Sequence, residues 1–230
     1  MAAGTEDRDG GDSTEALIPI GRYRCFYLVL GLVALLALYP YLTFTSDGRI
    51  LLNLLNLVVM GGALATVRRR RLSVVRVVLL VLLVLGLQTW HLIAPAPVPF
   101  LLLCVAMSGL YGLVVVGLLA YLLRREPITP DKLYAGIAGY ILIGIFFAAL
   151  LRLLQDLDPR AFSVDPSVQG PPEFFDFIYV SFGTLTTAGF TGLTPVLQQA
   201  RSLLVLEEIT GFVYAALLVA RLTSLYRPGG

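Results

Sequence analysis

The sequence predicts an all-α integral membrane protein with six transmembrane helices and one further, re-entrant helix. Hydrophobic residues make up 57% and charged residues 14% of the 230 residues, and the mean hydropathy is +0.84. This is more apolar surface than one soluble core could bury. Six apolar runs are long enough to cross a bilayer. A shorter apolar segment and a turn rich in threonine and glycine lie between the last two runs.

The six runs follow one another along the chain with short polar connections. A helix rises about 1.5 Å per residue, so about 20 residues cross the hydrocarbon core of a bilayer. The predicted spans are residues 25–44, 50–67, 72–90, 98–123, 133–154 and 202–225. As a helix, residues 172–186 would reach only about halfway across. We expect this segment to enter and leave the membrane on one face.

Basic residues indicate the orientation. Three clusters fall on one side when six helices are threaded in order, and they comprise Arg22 and Arg24, the run 68–71, and Arg124, Arg125 and Lys132. That side is expected to be cytoplasmic. We therefore expect a multi-pass protein of the inner (plasma) membrane with both termini in the cytoplasm. The run 68–71 is typical of a topology signal at anionic lipid, so the lipid bilayer, and no nucleic acid, is the expected partner.

The chain divides into three predicted parts. Residues 1–21 are rich in Gly, Asp, Glu, Ser and Thr and are predicted to be a disordered cytoplasmic N-terminus. Residues 22–125 hold four spans, and residues 126–230 hold the last two with the re-entrant segment. A voltage sensor needs arginines at every third residue within a span, and residues 98–123 contain none. Residues 22–125 are therefore predicted to form a peripheral four-helix domain without voltage-sensor arginines.

The sequence offers little that suggests enzyme chemistry. Cys25 and Cys104 lie in different apolar runs, and His91 is the only histidine. A disulfide or a metal cluster is therefore not expected. We expect no enzyme activity and no cofactor.

The turn after residues 172–186 carries the most informative motif. It reads Thr184-Leu-Thr-Thr-Ala-Gly-Phe-Thr-Gly-Leu-Thr-Pro195. The motif resembles the filter of the tetrameric potassium-channel superfamily, Thr-x-Thr-Thr-Val-Gly-Tyr-Gly-Asp-x-Thr-Pro. The resemblance covers residues 133–225 and includes the later stretch Arg201-Ser-Leu-Leu-Val-Leu-Glu-Glu-Ile-Thr-Gly211. The chain thus resembles a bacterial six-transmembrane member with a two-helix ion-channel pore module and an atypical filter.

The resemblance implies a homotetrameric cation channel in which residues 126–230 form the pore domain and 172–186 the pore helix. One chain then supplies a quarter of a pore, because such filters replace the hydration shell of an ion with rings of oxygens. The implied K⁺ ligands are the carbonyls of Thr187, Ala188, Gly189 and Phe190 with the Thr187 hydroxyl, and Thr191 completes the filter. A permeant monovalent cation, with potassium preferred, is the expected ligand.

Besides Ala188 in place of valine, three residues depart from the family pattern. Thr191 stands where the family has its second glycine, and positive φ there would cost a β-branched residue about 1–2 kcal/mol. Gly192 stands in place of aspartate and Phe190 in place of tyrosine. Two alternatives remain, a non-selective cation channel and a non-conducting membrane scaffold or regulatory subunit with a degenerate filter. The motif also resembles that of potassium-uptake transporters, but those need four repeats in one chain and this chain has one.

Further residues near the filter are predicted to support it, namely Thr186, Gly192, Glu207 and Glu208. A carboxylate within a span is a functional candidate by default. The two glutamates can brace the filter or form a protonation-sensitive gate, and the resemblance favours a brace for Glu207. Gly211 is either a hinge of the last helix or a packing contact.

Overall fold

The computed structural model describes residues 24–42, 52, 79, 82–84, 86–87, 90, 97–122, 130–165, 170–189 and 192–223. Within these residues the chain is mostly helical, as predicted, and has four helices long and apolar enough to cross a membrane. They correspond to the first, fourth, fifth and sixth predicted spans. Of the predicted spans 50–67 and 72–90 only isolated helical positions are described, and residues 1–21 lie outside the described part of the chain.

In chain order the elements are α1 (Arg24–Leu42), α2 (Pro97–Leu122), α3 (Pro130–Leu157), β1 (Phe162–Val164), α4 (Phe174–Leu185), β2 (Leu193–Pro195) and α5 (Gln198–Thr223). The helices α3 and α5 both pack against the short α4, and α1 and α2 both pack against α3. This order matches the predicted order of an outer helix, a pore helix and an inner helix.

Helix α3 is the centre of the fold. It packs against all four other helices, and 56% of its apolar span is buried. Small residues on several of its faces are fully buried, among them Ala138 and Ala148. In a bilayer, helix association depends on close packing more than on hydrophobic transfer, and small residues let backbones approach. The composition of α3 therefore suits a helix that is surrounded by others.

Asp131 joins the ends of three helices. The amide and the thiol of Cys25, at the start of α1, both donate to its carboxylate, at 2.9 and 3.3 Å. The Tyr121 hydroxyl, near the end of α2, donates to the same carboxylate at 3.3 Å. Since the first amides of a helix lack intrahelical acceptors, the carboxylate satisfies a group that a buried helix start would otherwise leave unpaired.

A small antiparallel sheet, which the sequence did not predict, connects the two sides of α4. Phe162 of β1 pairs with Pro195 of β2, and Val164 pairs with Leu193. Beyond the strands, the Asp165 amide donates to the Gly192 carbonyl at 2.9 Å. Strands of three residues are too short to show an alternating pattern in the sequence. The sheet closes residues 165–192 into a loop whose two ends lie side by side.

Candidate functional site

Helix α4 begins at Phe174, after an extended Glu173 that serves as its N-cap. The predicted start at Pro172 is therefore two residues too early. The Glu173 amide donates to the Asp176 carboxylate at 2.7 Å, and this acidic side chain in the first turn also complements the positive end of the helix dipole. With 12 residues, α4 is about 18 Å long, well short of the 30 Å or so of a hydrocarbon core.

Arg152 of α3 holds the segment that leads into α4. Its Nη1 donates to the Pro172 carbonyl at 2.9 Å, and its Nε donates to the Asp156 carboxylate at 3.0 Å. Its guanidinium carbon lies 5.7 Å from the centre of the Phe177 ring, within the range of a cation–π contact. The sequence analysis did not identify this residue. Its signal was an arginine within an apolar run, followed four residues later by an aspartate.

The other end of α4 closes in a Schellman motif. The amide of Thr187 donates to the Thr184 carbonyl at 3.0 Å, and the amide of Ala188 donates to the Gly183 carbonyl at 2.9 Å. Thr187 has a φ of +56°, the only positive φ of a non-glycine residue in the described part of the chain. The motif needs a left-handed residue at this position, which glycine usually supplies. A β-branched residue there costs about 1–2 kcal/mol.

The predicted filter residues divide into a described and an undescribed group. Thr187, Ala188 and Gly189 form one exposed turn directly after α4. Gly189 has a φ of +68° and Gly192 a φ of +137°, both conformations that favour glycine. Phe190 and Thr191 lie outside the described residues, so the backbone strain expected at Thr191 stays a prediction.

Thr186, predicted to support the filter, is bound to its own helix. Its hydroxyl donates to the Phe182 carbonyl at 2.6 Å, and its amide donates to the same oxygen at 3.0 Å. It therefore contributes to the end of α4 rather than to a contact behind the turn. The last carbonyls of α4 carry the negative end of the helix dipole, so the turn at residues 187–189 lies where a cation is favoured.

Glu207 of α5 is fully buried against α4. It is 0% exposed, as is Ser181, whose hydroxyl contacts Glu207 Oε1 and lies 2.7 Å from the Gly144 carbonyl oxygen. A serine hydroxyl has one hydrogen to donate, so it cannot satisfy both oxygens at once. The second carboxyl oxygen of Glu207 has no hydrogen-bond partner among the described residues. The contact joins α3, α4 and α5 through two side chains and the backbone carbonyl of Gly144. The sequence analysis identified Glu207 but missed Ser181 and Gly144.

Glu208 differs from its neighbour. It is exposed on α5, because one residue is about 100° round a helix. The two glutamates, which the sequence analysis grouped as filter support, therefore occupy different environments.

Two helices contact the carbonyl of Leu185, the last residue of α4. The Tyr140 hydroxyl of α3 donates to this oxygen at 3.0 Å. From α5, Gly211 approaches so closely that a β-carbon on it would lie 2.5 Å from the same oxygen. Gly211 thus occupies a packing contact, and its predicted role as a hinge stays a prediction. Tyr140 was missed, although a tyrosine in an apolar span needs a partner for its hydroxyl.

Searches of protein-family models, of curated proteins and of solved structures gave no match to this chain. The interpretation of the site therefore rests on its own residues. They form a short helix with both ends held by neighbouring helices, followed by an exposed turn that returns to the sheet.

Proposed function

We propose that four copies of this chain form a cation channel that prefers potassium, with residues 187–191 as the filter. The observation that carries the proposal is the geometry of α4. This helix is too short to cross a bilayer, its end is fixed by contacts from α3 and α5, and it leads into a turn of exposed backbone.

The exposed turn supports assembly from several copies. Irregular backbone at the depth of a bilayer is tolerated only where protein or water surrounds it. In a single chain the residues Thr187, Ala188 and Gly189 are exposed, and several large apolar residues of α5 are exposed too. Four copies around one axis would cover α5 and leave the turns facing a central, water-filled path. One chain then contributes one quarter of each ring of oxygens.

The chemistry of the turn suits a monovalent cation. Backbone carbonyls and the Thr187 hydroxyl offer neutral oxygens, which can replace the hydration shell of K⁺ without holding it too tightly. The negative end of the α4 dipole adds a partial charge beside them. Glu207 would act behind the turn through Ser181, on the far side of α4 from the ion path.

Two sequence departures favour a second candidate, a non-selective cation channel. The glycine-only conformation falls at Gly192, one position after the family's second glycine, where this chain has Thr191. The outer filter would then differ in shape from that of a selective channel. We expect Thr191→Gly to raise the permeability ratio of K⁺ over Na⁺ if this difference limits selectivity. An unchanged ratio would show that Thr191 adopts an ordinary conformation.

The orientation of the chain in the membrane is part of the same proposal. We place both termini in the cytoplasm, with the α4 loop entering from the outside of the plasma membrane. Single cysteines at Ser163 and at Thr223, in a chain with Cys25 and Cys104 replaced by serine, test this with an impermeant thiol reagent on intact cells. Labelling at Ser163 but not at Thr223 is expected, and the reverse pattern would overturn the orientation.

Mass measurement and flux test the function itself. The purified chain in detergent is expected to have the mass of four protomers, and liposomes that contain it should take up K⁺ faster than Na⁺. A Gly189→Ala variant is the matched control. A β-carbon at this position meets no atom within 4 Å, so the variant changes no packing contact. The φ of +68° nevertheless disfavours alanine there. A tetramer without flux would support the scaffold alternative. Equal fluxes of K⁺ and Na⁺ would support the non-selective channel. A stable monomer or dimer would overturn the channel altogether.

A further inference from the structure

Three parallel rows of residues run along α5, and they differ in their surroundings. The buried row faces α3 and α4 and contains Glu207, Gly211 and Tyr214. Each residue that follows one of these in sequence lies about 100° round the helix, and all of them are exposed: Glu208, Phe212 and Ala215. We call this row the acidic flank. The apolar flank precedes the buried row and includes Leu206, Val213 and Leu217, all exposed.

The two flanks differ in charge. The apolar flank carries only hydrocarbon side chains and Thr210, whose hydroxyl donates to the Leu206 carbonyl at 2.6 Å. The acidic flank carries the Glu208 carboxylate, ten residues into a helix of 26. A carboxylate at such a depth is costly in lipid and faces protein or a water-filled cavity in membrane proteins. The apolar flank therefore suits lipid or packing, and the acidic flank, at Glu208, suits water or protein rather than lipid.

Glu208 also lies at the depth of the filter turn. Its neighbour Glu207 contacts Ser181, one turn before the end of α4. Gly211, three residues after Glu208 on α5, contacts the carbonyl of Leu185 at that end. The backbone of Glu208 lies between these two contacts along α5, so it is level with the last turn of α4, which Thr187 follows closely in sequence.

We propose that Glu208 faces the ion path and concentrates monovalent cations at the Thr187 end of the filter. The inference rests on the proposed function, since it needs a conducting tetramer. Four copies would place four carboxylates around the path, next to the negative ends of four pore helices. Charge of one sign in a narrow, low-dielectric passage focuses the field and raises the local concentration of counter-ions. Glu208 then affects the rate of conduction, whereas Glu207 affects the fold.

Single-channel recording of the full chain in planar bilayers tests this with a pair of matched variants. Glu208→Gln removes the charge and keeps the shape, and Glu208→Asp keeps the charge. Recordings in about 10 mM and in about 1 M KCl separate charge from shape, because the Debye length falls from about 30 Å to about 3 Å between them. We expect Glu208→Gln to reduce the K⁺ current about threefold or more at low salt and little at high salt. The current of Glu208→Asp should stay close to that of the parent.

Each other outcome overturns the inference in a recognisable way. Equal currents of Glu208→Gln and the parent at both salt concentrations would place the carboxylate away from the path. An equal loss at both concentrations, shared by Glu208→Asp, would indicate a packing role, and loss of the tetramer in Glu208→Gln would indicate a contact between copies. A parent tetramer that passes no cation would overturn the proposed function, and this inference with it.

Discussion

The carbonyl oxygen of Leu185 lies 2.5 Å from the position that a β-carbon on Gly211 would occupy. The last residue of the short helix α4 and the middle of α5 are therefore in direct backbone contact. No side chain except hydrogen fits between them, because a β-carbon essentially never approaches an oxygen so closely. The position of the turn at residues 187–189 relative to α5 depends on this glycine.

Gly211→Ala should destabilise the packing of α5 on α4, and with it the proposed tetramer. The new methyl meets a backbone atom, which cannot rotate away, and the repulsion of about 1–3 kcal/mol outweighs the gain of about 1 kcal/mol in helix propensity. We expect a lower temperature of dissociation into monomers in detergent. Gly109→Ala in α2 is the control, since a β-carbon there meets no atom within 4 Å, and it should leave that temperature unchanged or raise it. A Gly211→Ala tetramer as stable as its parent would show that Gly211 serves bending instead.

Substitutions at Thr187 should separate conduction from stability. Thr187→Gly relieves the left-handed conformation and should stabilise each protomer by about 1 kcal/mol, while Thr187→Ala removes the hydroxyl without relieving it fully. Both variants lose four hydroxyl oxygens from the tetramer, and K⁺ flux should fall in both. The measurements are the dissociation temperature and liposome flux. Parental flux in both variants would place the cation site elsewhere, and a less stable Thr187→Gly would contradict the assigned backbone conformation.

Ser181→Ala should destabilise the contact between α4 and α5. It removes the hydroxyl that lies between the Gly144 carbonyl and the fully buried Glu207 carboxyl. Because that hydroxyl has one hydrogen to donate, we expect the cost of one buried group left unpaired, about 1–3 kcal/mol. Glu207→Gln is the informative partner variant, because its amide can donate to Ser181 Oγ while that hydroxyl donates to Gly144. We expect the temperature of dissociation into monomers to be higher for the Glu207→Gln variant than for the Ser181→Ala variant. The opposite order would mean that the charge of Glu207, not its hydrogen bond, stabilises the fold.

An ion pair in the turn after α3 should make the stability of the protein depend slightly on pH. Arg160 donates to the Asp158 carboxylate at 3.2 and 3.3 Å, and these hydrogen bonds lower the pKa of Asp158 below its ordinary value. A lowered folded-state pKa contributes stability above the unfolded-state pKa, and this stability is lost as the pH falls through the folded-state value. Arg160→Gln should therefore lower the dissociation temperature slightly at neutral pH and not at all in strong acid. The effect is small because the pair is exposed, and a difference that grows in acid would contradict it.

The sequence predicted the helices better than the contacts among them. Helices at four of the predicted spans and a short helix at the predicted re-entrant segment are present within the described residues, since runs of apolar residues determine helix length. That the short helix is re-entrant stays a prediction. The ends shifted by a few residues, as in α4, which begins at Phe174 and not at the predicted Pro172. The predicted filter turn is described at Thr187, Ala188 and Gly189, but nothing so far tests ion binding there.

Other features of the site could not be predicted, because they depend on residues distant in sequence. Ser181 and Gly144 are 37 positions apart, and Tyr140 is 45 positions from Leu185; such pairs have no local pattern. The left-handed Thr187 was missed for a different reason. Threonine is an uncommon choice for that conformation, and the sequence analysis expected strain only at Thr191, by comparison with a glycine, an expectation that stays a prediction.

Because β1 and β2 pair with each other, the length of the segment between them does not determine where the surrounding helices lie. Because the chain leaves and returns through the same pair of strands, residues added between Asp165 and Gly192 need not move α3 relative to α5. Lengthening such a loop costs little, about 0.6 kcal/mol for each doubling. An epitope tag or a fluorophore inserted between Asp165 and Gly170 is therefore expected to disturb the surrounding helices little.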